Sequence, residues 1–565
     1  MTTDKTIAND PFPEMRAFWS ALAEGVLTLG TCEDCGEQHF YPRMHCPFCG
    51  SERVRWAAHS GKGTVYSFSI PRRSRPPVAP AIIELEGGVC VSSVIREADL
   101  FGLDIGDSVE LYLRHEAGKT DLAFTTQAAQ QARQYAAQAG ALASQVSGLV
   151  PAEPDAFSKV AVVGAGTMGI GIAMALANAG IAVALIDVNP DSLARATTRI
   201  AEQYEVSVQR KRLKRAQVEE RLSRIGTHKE YAALADADAV IEAVWEQMAL
   251  KKEVFAQIDA HARPDALLGT NTSGLDINEI AASTRNPERL IGLHFFTPAQ
   301  SMKLLEVVRG RSTSDEVIAR GMALGVRLGK VPVLVESCSG FVGNRIFRAR
   351  EAQARAMLLE GATPEQVDRV LMEFGMPMGS FELQDMTGGV ELLYRRRQAE
   401  GGEDWLGDRM FEAGRLGQKV GKGYYRYQPG GRKPLADPEM LALLEEGSRA
   451  SGISRRELAD EEVRDRLILP MVNEACRLIE EGVVARPSEV DAVWLHGYGW
   501  PTWRGGILYH ADRLGAQHVV DGLNALQGRH GSFFEPSPLL AKVAREGGRL
   551  LELPQRAERA AQFRA

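Results

Sequence analysis

Residues 159–187, KVAVVGAGTMGIGIAMALANAGIAVALID, constrain the fold of this chain more tightly than any other stretch. Val160 to Val163 read as a short apolar strand that runs into Gly164, Gly166 and Gly169. A helix-period segment rich in Ala, Ile and Leu follows, and a second apolar strand closes on Asp187. Strand, glycine-spaced turn, helix and acid-terminated strand together make the dinucleotide-binding βαβ pattern. Gly164 lets the chain turn sharply. Gly166 removes the Cβ that would hold the backbone off a pyrophosphate, and Gly169 lets the helix pack close to the strand. Thr167 and Met168 open the helix, where backbone N–H groups face the phosphates. Asp187, eighteen residues past Gly169, sits where a carboxylate accepts from both adenosine ribose hydroxyls. It would repel a 2′-phosphate, so NAD is expected over NADP.

At 565 residues the chain has room for about three or four domains. With 45% hydrophobic and 25% charged residues it reads as soluble and globular. A net charge of −7 offers no electrostatic attraction for nucleic acid or an anionic membrane. No apolar run approaches the roughly 20 residues of a membrane span. MTTDKTIANDPFPEM has neither a basic n-region nor an apolar core, so no signal peptide is expected and the location is read as cytoplasmic. Four of the seven cysteines cluster at 32, 35, 46 and 49, while Cys90, Cys338 and Cys476 stand alone, which is no disulfide framework.

Residues 1–124 carry the cysteine cluster and a run of strands. Cys32-x-x-Cys35 and Cys46-x-x-Cys49 are separated by ten residues, a spacing that suits a ribbon hairpin. Four soft thiolates at about 2.3 Å select zinc and leave no open coordination position, so the site should be structural. Redox chemistry is the rival, but a thioredoxin-like pair would come alone within a βαβ pattern. His39 and His45 read as solvated or as outer neighbours of the metal. GTVYSFSI, PAIIELEGGVCVSSVI and SVELYLRH, punctuated by Gly and Pro, suggest a small closed barrel of the OB kind. Arg72, Arg73 and Arg75 share one Pro-rich loop without aromatics spaced for base stacking, which speaks against nucleic acid. PFPEMRAFWSALAEGVL, the ribbon and GKGTVYSFSI together resemble the acyl-CoA-associated ribbon-plus-OB family. That resemblance implies a partner such as a thiolase, or handling of the acyl-CoA itself. Residues 125–157 are Ala/Gln-rich without a strong apolar stripe and read as a partly helical tether.

Residues 158–338 hold the chemistry. The polar stretch from about 191 to 225, with QRKRLKRAQVEERL, reads as a solvated helix face; alternatively Arg210, Lys211 or Lys214 meets an anionic ligand. ADAVIEAV, ALLGTNTSGL, LIGLHFFTPAQSMKLLEVV and VLVESCSGFVGNR each place polar groups just after an apolar strand, the edge where open α/β sheets bind ligands. Ser273, His294 and Asn344 come from those ends, and Glu306 lies within KLLEVV. Oxidising a secondary alcohol with NAD needs a base for the proton, and a neutral imidazole suits it. A buried carboxylate would hold the imidazole's tautomer and stabilise its cation. Ser273 and Asn344 can donate to the alkoxide-like oxygen or the neighbouring carbonyl.

GAGTMGIGIA, VIEAVWE, NTSGL, GLHFFTP, KLLEVV and SGFVGNR resemble the 3-hydroxyacyl-CoA dehydrogenase family. Carried over by position, the resemblance makes His294 the base, Glu306 its carboxylate partner, and Ser273 and Asn344 ligands of the substrate oxygen. Asp187 becomes the ribose acid, while Glu246, Lys251 and Asn271 fall at cofactor-site positions. Two departures lie beside the site: Thr297 where the family usually has Asn, and Gly274 where it has a second Ser. The implied activity is NAD-dependent oxidation of a (3S)-3-hydroxyacyl-CoA to the 3-ketoacyl-CoA in a β-oxidation-type pathway. A scaffold of an acyl-CoA-degrading complex, with dehydrogenation secondary, is the alternative.

Residues 339–565 are helical twice over. RIFRAREAQARAMLLEGATPEQVDRVL with FGMPMGSFELQDMTG is echoed by RLILPMVNEACRLIEEGVVARPSEVDAVW with GYGWPTWRGGILYHADRLG. The echo resembles the tandem C-terminal units of the fatty-oxidation multifunctional enzymes, in which the second copy can take the place of a dimer partner. Homo-oligomerisation is left open. Asn473 and Glu474 read as interior polar residues without a catalytic part. The expected architecture is therefore multidomain: zinc ribbon and OB barrel to 124, a linker to 157, and a Rossmann-like doubly wound NAD domain to 338. Helical units follow at 339–435 and 436–565.

Overall fold

The computed structural model describes residues 15–41, 43–71, 78–116 and 119–555. The Arg72, Arg73 and Arg75 loop and the first fourteen residues lie outside them. The chain divides into two compact units: Met1–Tyr135 with Met372–Pro377 and Pro501–Gly505, and the remainder.

In the first unit, β1 (Leu27–Cys32) pairs antiparallel with β2 (Gln38–His39) and β3 (Val54–His59) to make the ribbon. A barrel follows, formed by β4 (Lys62–Phe68), β5 (Ala79–Leu85), β6 (Cys90–Ile95), β7 (Ser108–Glu116) and β8 (Lys119–Thr126). It closes in the order β4-β5-β6-β8-β7, which leaves no open sheet edge. Along β5 the alternation is strict: Ala79, Ala81, Ile83 and Leu85 are buried, while Pro80, Ile82 and Glu84 face out. That period-2 pattern fixes which face closes on Val65, Val91, Ile95, Val109 and Phe124.

The helical part expected of the tether runs from Gln127 to Ala143, but it is packed rather than solvated. Ala129, Ala132, Ala136, Ala139 and Ala143 are all buried, at alternating three- and four-residue steps. Methyl groups give a faint hydrophobic signal, yet they let a helix backbone come close to its neighbour, so a weak stripe is buried all the same. The unit boundary falls within this helix, between Tyr135 and Ala136.

The second unit is built on an eight-stranded sheet. Its strands are β9 (Lys159–Val163), β10 (Ala182–Ile186), β11 (Ile225–His228), β12 (Ala239–Glu242), β13 (Leu267–Thr270), β14 (Leu290–Phe295), β15 (Leu304–Arg309) and β16 (Val331–Glu336). They lie in the order β11-β10-β9-β12-β13-β14-β15-β16. Chain order reverses between β9 and β12, the switch point where a doubly wound sheet opens a crevice for ligand. The central strands are buried almost from end to end and mostly apolar, because helices cover both faces; Glu242 and Thr270 at the ends of β12 and β13 are the polar exceptions. β14 and β15 form the antiparallel pair, and every other neighbouring pair is parallel.

The repeat is visible as a duplicated hydrogen-bond motif. Asp368, in the helix Pro364–Phe374, accepts from the N–H groups of Phe381 and Glu382 at 2.9 Å each. Asp491, in the helix Pro487–Gly497, accepts from Leu508 and Tyr509 at 2.8 and 3.2 Å. Both acids seat the first turn of the next helix, and both face a glycine. A Cβ on Gly379 or Gly506 would fall 2.1 or 2.2 Å from the corresponding carboxyl carbon.

Candidate active site

The glycine turn after β9 has the local geometry that its spacing demands. Gly164 has φ +109°, and a Cβ there would lie 2.6 Å from the Ala243 carbonyl oxygen. A Cβ on Gly169 would lie 1.8 Å from the Gly164 oxygen, so helix and strand meet only because position 169 is bare. At Gly166 nothing comes within 4 Å of a built Cβ. That open space stands at the start of the helix Thr167–Asn178, whose first turn no side chain caps. Thr167 and Met168 thus sit at an anion-ready terminus.

A cavity of about 480 Å³ adjoins this turn, lined among others by Gly164, Gly166, Thr167, Asp187, Arg195 and Tyr231. Asp187 follows β10. Its Oδ2 accepts from Ala165 N–H and its Oδ1 from Asn189 N–H, both at 2.9 Å. The open glycine cradle, the uncapped helix and the strand-end acid fit a dinucleotide. Arg195 and Arg199 also face the cavity, a contribution the sequence reading missed. Their signal was helical phase: with Ser192 and Ala196 they share one face of the helix Pro190–Gln209. Arg210, Lys211 and Lys214 do not line it. The helix stops before Arg210, and Lys211 turns the chain with φ +56°.

The three remaining residues expected at the cofactor site, Glu246, Lys251 and Asn271, are not among the cavity-lining residues but form a polar layer at the ends of β12 and β13. Lys251 is fully buried and bonds both oxygens of the equally buried Glu242, at 2.7 and 2.9 Å. Val244 N–H and Thr270 Oγ1 donate to the same carboxylate at 2.7 Å. The sealed Lys251 ammonium therefore acts on its surroundings through carboxylates; it also lies 3.4 Å from Glu246. Glu246 Oε1 in turn accepts from Thr272 Oγ1, Ser273 N–H and Ser273 Oγ at 2.7, 2.8 and 3.1 Å. Asn271 accepts from Phe295 N–H at 2.9 Å, tying the end of β13 to the strand that carries His294.

His294 and Glu306 are direct cross-strand partners in the β14–β15 pair. Their side chains meet at 2.6 Å, Nδ1 to Oε2. Glu306 is fully buried, and its other oxygen accepts from Val342 and Gly343 N–H at 3.2 and 3.0 Å. Those donors stand at the start of the helix Gly343–Glu360, where a negative charge is stabilised by the unpaired N–H groups. Because Nδ1–H donates to the carboxylate, the proton-accepting nitrogen of His294 is Nε2. Asn344 follows Gly343 directly, and its Nδ2 lies 3.4 Å from the Ser273 carbonyl oxygen. The imidazole packs against Phe296 and Phe341, with ring centres 4.4 and 5.7 Å away.

The loop after His294 is tied back to the dinucleotide helix. Thr297 Oγ1 donates to Met168 Sδ at 3.0 Å, so the departure at 297 is accommodated by the helix. At Gly274 a Cβ would meet Gly340 N at 3.4 Å, ordinary contact that would admit a small side chain. Buried Lys330 clamps the far side of the loop, donating to the Ala299 and Met302 carbonyls at 2.7 Å each. Burial, followed by the charge of Lys303, brings its ammonium down to about 8.

In the first unit the two CxxC turns are near copies. Gly36 N–H returns to Cys32 O at 3.0 Å and Gly50 N–H to Cys46 O at 2.9 Å. Both glycines have positive φ, +78° and +76°. Cys32 and Cys49 sulfurs are 3.6 Å apart, as are those of Cys35 and Cys46, and all four lie within 4.8 Å of one another. A tetrahedron with about 2.3 Å metal–sulfur bonds has edges of about 3.8 Å, so the four thiolates fit zinc. His45 is exposed and faces Glu52, whereas His39 lies buried under Gly30. Neither joins the cysteine cluster among the described residues. No helix among them is long and apolar enough to cross a membrane.

Comparison with known proteins follows the same division. Residues 159–338 match the family model described as 3-hydroxyacyl-CoA dehydrogenase, NAD binding domain; residues 340–427 and 463–550 each match its C-terminal domain. Residues 19–55 match the ChsH2 rubredoxin-like zinc ribbon domain and 56–114 the ChsH2 C-terminal OB-fold domain. The peroxisomal bifunctional enzyme of Danio rerio is 37% identical over 418 residues, 70% of this chain and 57% of the relative. Its Homo sapiens counterpart is 39% identical over 414 residues, 69% of this chain and 56% of the relative. The chain thus spans little more than half the length of these relatives. Among solved structures, 3-hydroxybutyryl-CoA dehydrogenase from Escherichia coli K12 has a TM-score of 0.60 at 29% identity, covering 69% of this chain and 99% of its own. The dehydrogenase part of multifunctional enzyme 1 from C. elegans has a TM-score of 0.55 at 29% identity, covering 73% and 96%. With both the sheet and the two helical copies accounted for, the chain belongs to the 3-hydroxyacyl-CoA dehydrogenase family and carries a zinc ribbon and an OB-fold domain ahead of it.

Proposed function

We propose that this chain oxidises the 3-hydroxyl of a (3S)-3-hydroxyacyl-CoA to the ketone in a β-oxidation-type pathway. The observation that carries the reading is the 2.6 Å His294–Glu306 pair, with Asn344, in the first turn of the helix Gly343–Glu360, reaching the Ser273 carbonyl beyond the end of β13. His294 Nε2 removes the hydroxyl proton, and Glu306, held by two backbone donors, stabilises the imidazolium that forms. Ser273 Oγ and the Asn344 carboxamide hold the substrate oxygen as its charge develops. For Ser273 this requires turning its hydroxyl away from Glu246, while its backbone N–H keeps that contact. Gly164, Gly166, Thr167, Met168, Gly169 and Asp187 would hold the dinucleotide, with Glu246, Lys251 and Asn271 shaping the strand ends beside it. Bound NAD supplies the hydride acceptor.

NADH production from a 3-hydroxyacyl-CoA, compared between wild type and His294→Ala, tests this assignment. A loss of about 10²–10⁴-fold is expected, and equal rates would remove His294 as the base.

A second reading concerns the first unit, whose zinc ribbon and OB-fold matches support a docking role toward a thiolase-like enzyme. A closed four-thiolate site has structural but no catalytic capacity, which favours docking over chemistry there. Copurification and size-exclusion with a thiolase should yield a complex. Separate elution at micromolar concentrations would end the idea.

A further inference from the structure

Asn344 is held from its other side by a residue that neither the sequence reading nor the duplicated fold assigns to the site. Tyr498, which follows the helix Pro487–Gly497 in the second C-terminal copy, places its hydroxyl 2.8 Å from Asn344 Oδ1. The orientation of the carboxamide follows from its two neighbours. The Ser273 carbonyl can only accept, so the Asn344 edge facing it must be NH2, and the edge facing Tyr498 must be the carbonyl. Tyr498 therefore donates. One Asn344 N–H is spent on Ser273, and the other remains for a ligand.

The tyrosine ring has little freedom. It stacks on Trp494 at 4.6 Å between centres and meets Phe296 edge-on at 5.5 Å. Phe296 itself lies against the His294 imidazole. A Cβ on Gly343 would fall 2.2 Å from the tyrosine ring, so the bare position just before Asn344 is what lets the ring approach. The next residue, Arg345, is gripped by two further groups of the second copy, Glu474 and Glu481. The first turn of the helix Gly343–Glu360 thus meets the second copy on both sides of Asn344.

We infer that Tyr498 is a positioning residue for the dehydrogenation, fixing the Asn344 carboxamide so that its free N–H, and not its oxygen, faces the reacting oxygen. The inference rests on the proposed function. Without the hydroxyl only the longer 3.4 Å contact to the Ser273 carbonyl holds the amide, so its free N–H is less firmly aimed at the developing alkoxide, which weakens the transition state more than the ground state. Removing one neutral hydrogen bond of this kind corresponds to about a five- to tenfold loss.

The test is Tyr498→Phe in the full chain, which keeps the ring and its packing. A drop of about five- to tenfold in kcat is expected, with the KM for NAD unchanged. In an Asn344→Ala background the same substitution should have no further effect, because the group it orients is gone. Tyr498→Phe with wild-type kcat refutes the inference. So does an equal loss in the Asn344→Ala background, which would mean that the hydroxyl acts through packing alone. A wild-type chain that makes no NADH refutes the proposed function along with it, whereas an active wild type with an unaffected Tyr498→Phe refutes only the role of Tyr498.

Discussion

Replacing Glu306 with glutamine keeps the volume of the side chain and removes its charge, and the structure dictates the consequence. Both carboxylate oxygens are engaged, one by His294 Nδ1 and one by the N–H groups of Val342 and Gly343. Glutamine can leave its single carbonyl oxygen on the two backbone donors. Its NH2 then faces Nδ1, which must become an acceptor, and the imidazole proton moves to Nε2. The nitrogen that should take the substrate proton is now occupied. Losing a positioned base costs about 10²–10⁴ in rate, so kcat should fall by that factor while the KM for NAD holds. Stability should respond differently. The glutamine exchanges a charge-assisted bond for a neutral one, about 1 kcal/mol. Glu306→Ala strands two backbone donors and an imidazole nitrogen in the interior, at about 1–3 kcal/mol each. Steady-state NADH formation and denaturant unfolding on both variants separate the two effects. A Glu306→Gln enzyme within about threefold of wild type, or one as unstable as Glu306→Ala, would refute the tautomer argument.

Other outcomes follow from the same contacts. Asp187→Ser should lower the preference for NAD over NADP by about tenfold or more, as charge-assisted bonds to the ribose are lost and Arg195 and Arg199 remain at the cavity. An unchanged kcat/KM ratio would remove Asp187 as the ribose acid. Elemental analysis should find one zinc per chain, and Cys46→Ser, which deletes a buried thiolate, should release it and loosen the ribbon. Full zinc retention would contradict the four-thiolate site. Asp368 is pushed up to about 7 by burial, above its usual value near about 4, so the folded state binds its proton more tightly. Its contribution is complete below about pH 4 and is lost as pH rises through about 7. The stability of wild type relative to Asp368→Asn should therefore decline across that window, and thermal unfolding showing the opposite trend would overturn the assignment.

The features legible in the sequence are those whose cause is local. Gly164 and Gly169 are dictated by a positive φ and a 1.8 Å approach that no other residue tolerates, and both follow from the order of the chain. The two CxxC turns likewise need only their own short spacing and a following glycine to aim four sulfurs at one point. His294 and Glu306 were readable as types, a base and a buried acid in apolar strands. That they face each other is a matter of antiparallel register, and a one-residue slip of either strand would leave the two on opposite faces of the sheet. The alanine helix, the sealing of Lys251 beneath Glu242, and the arginines at the cavity depend on which face a neighbour covers, and periodicity does not name the neighbour. Tyr498 is the extreme case, 154 residues from the asparagine it holds. Nothing in its own surroundings along the chain marks it, because its role exists only once the second helical copy has packed against the first turn of the helix that carries Asn344. Chain-local geometry determined the chemistry available to this protein; packing between distant segments decided which atoms are aimed, and at what.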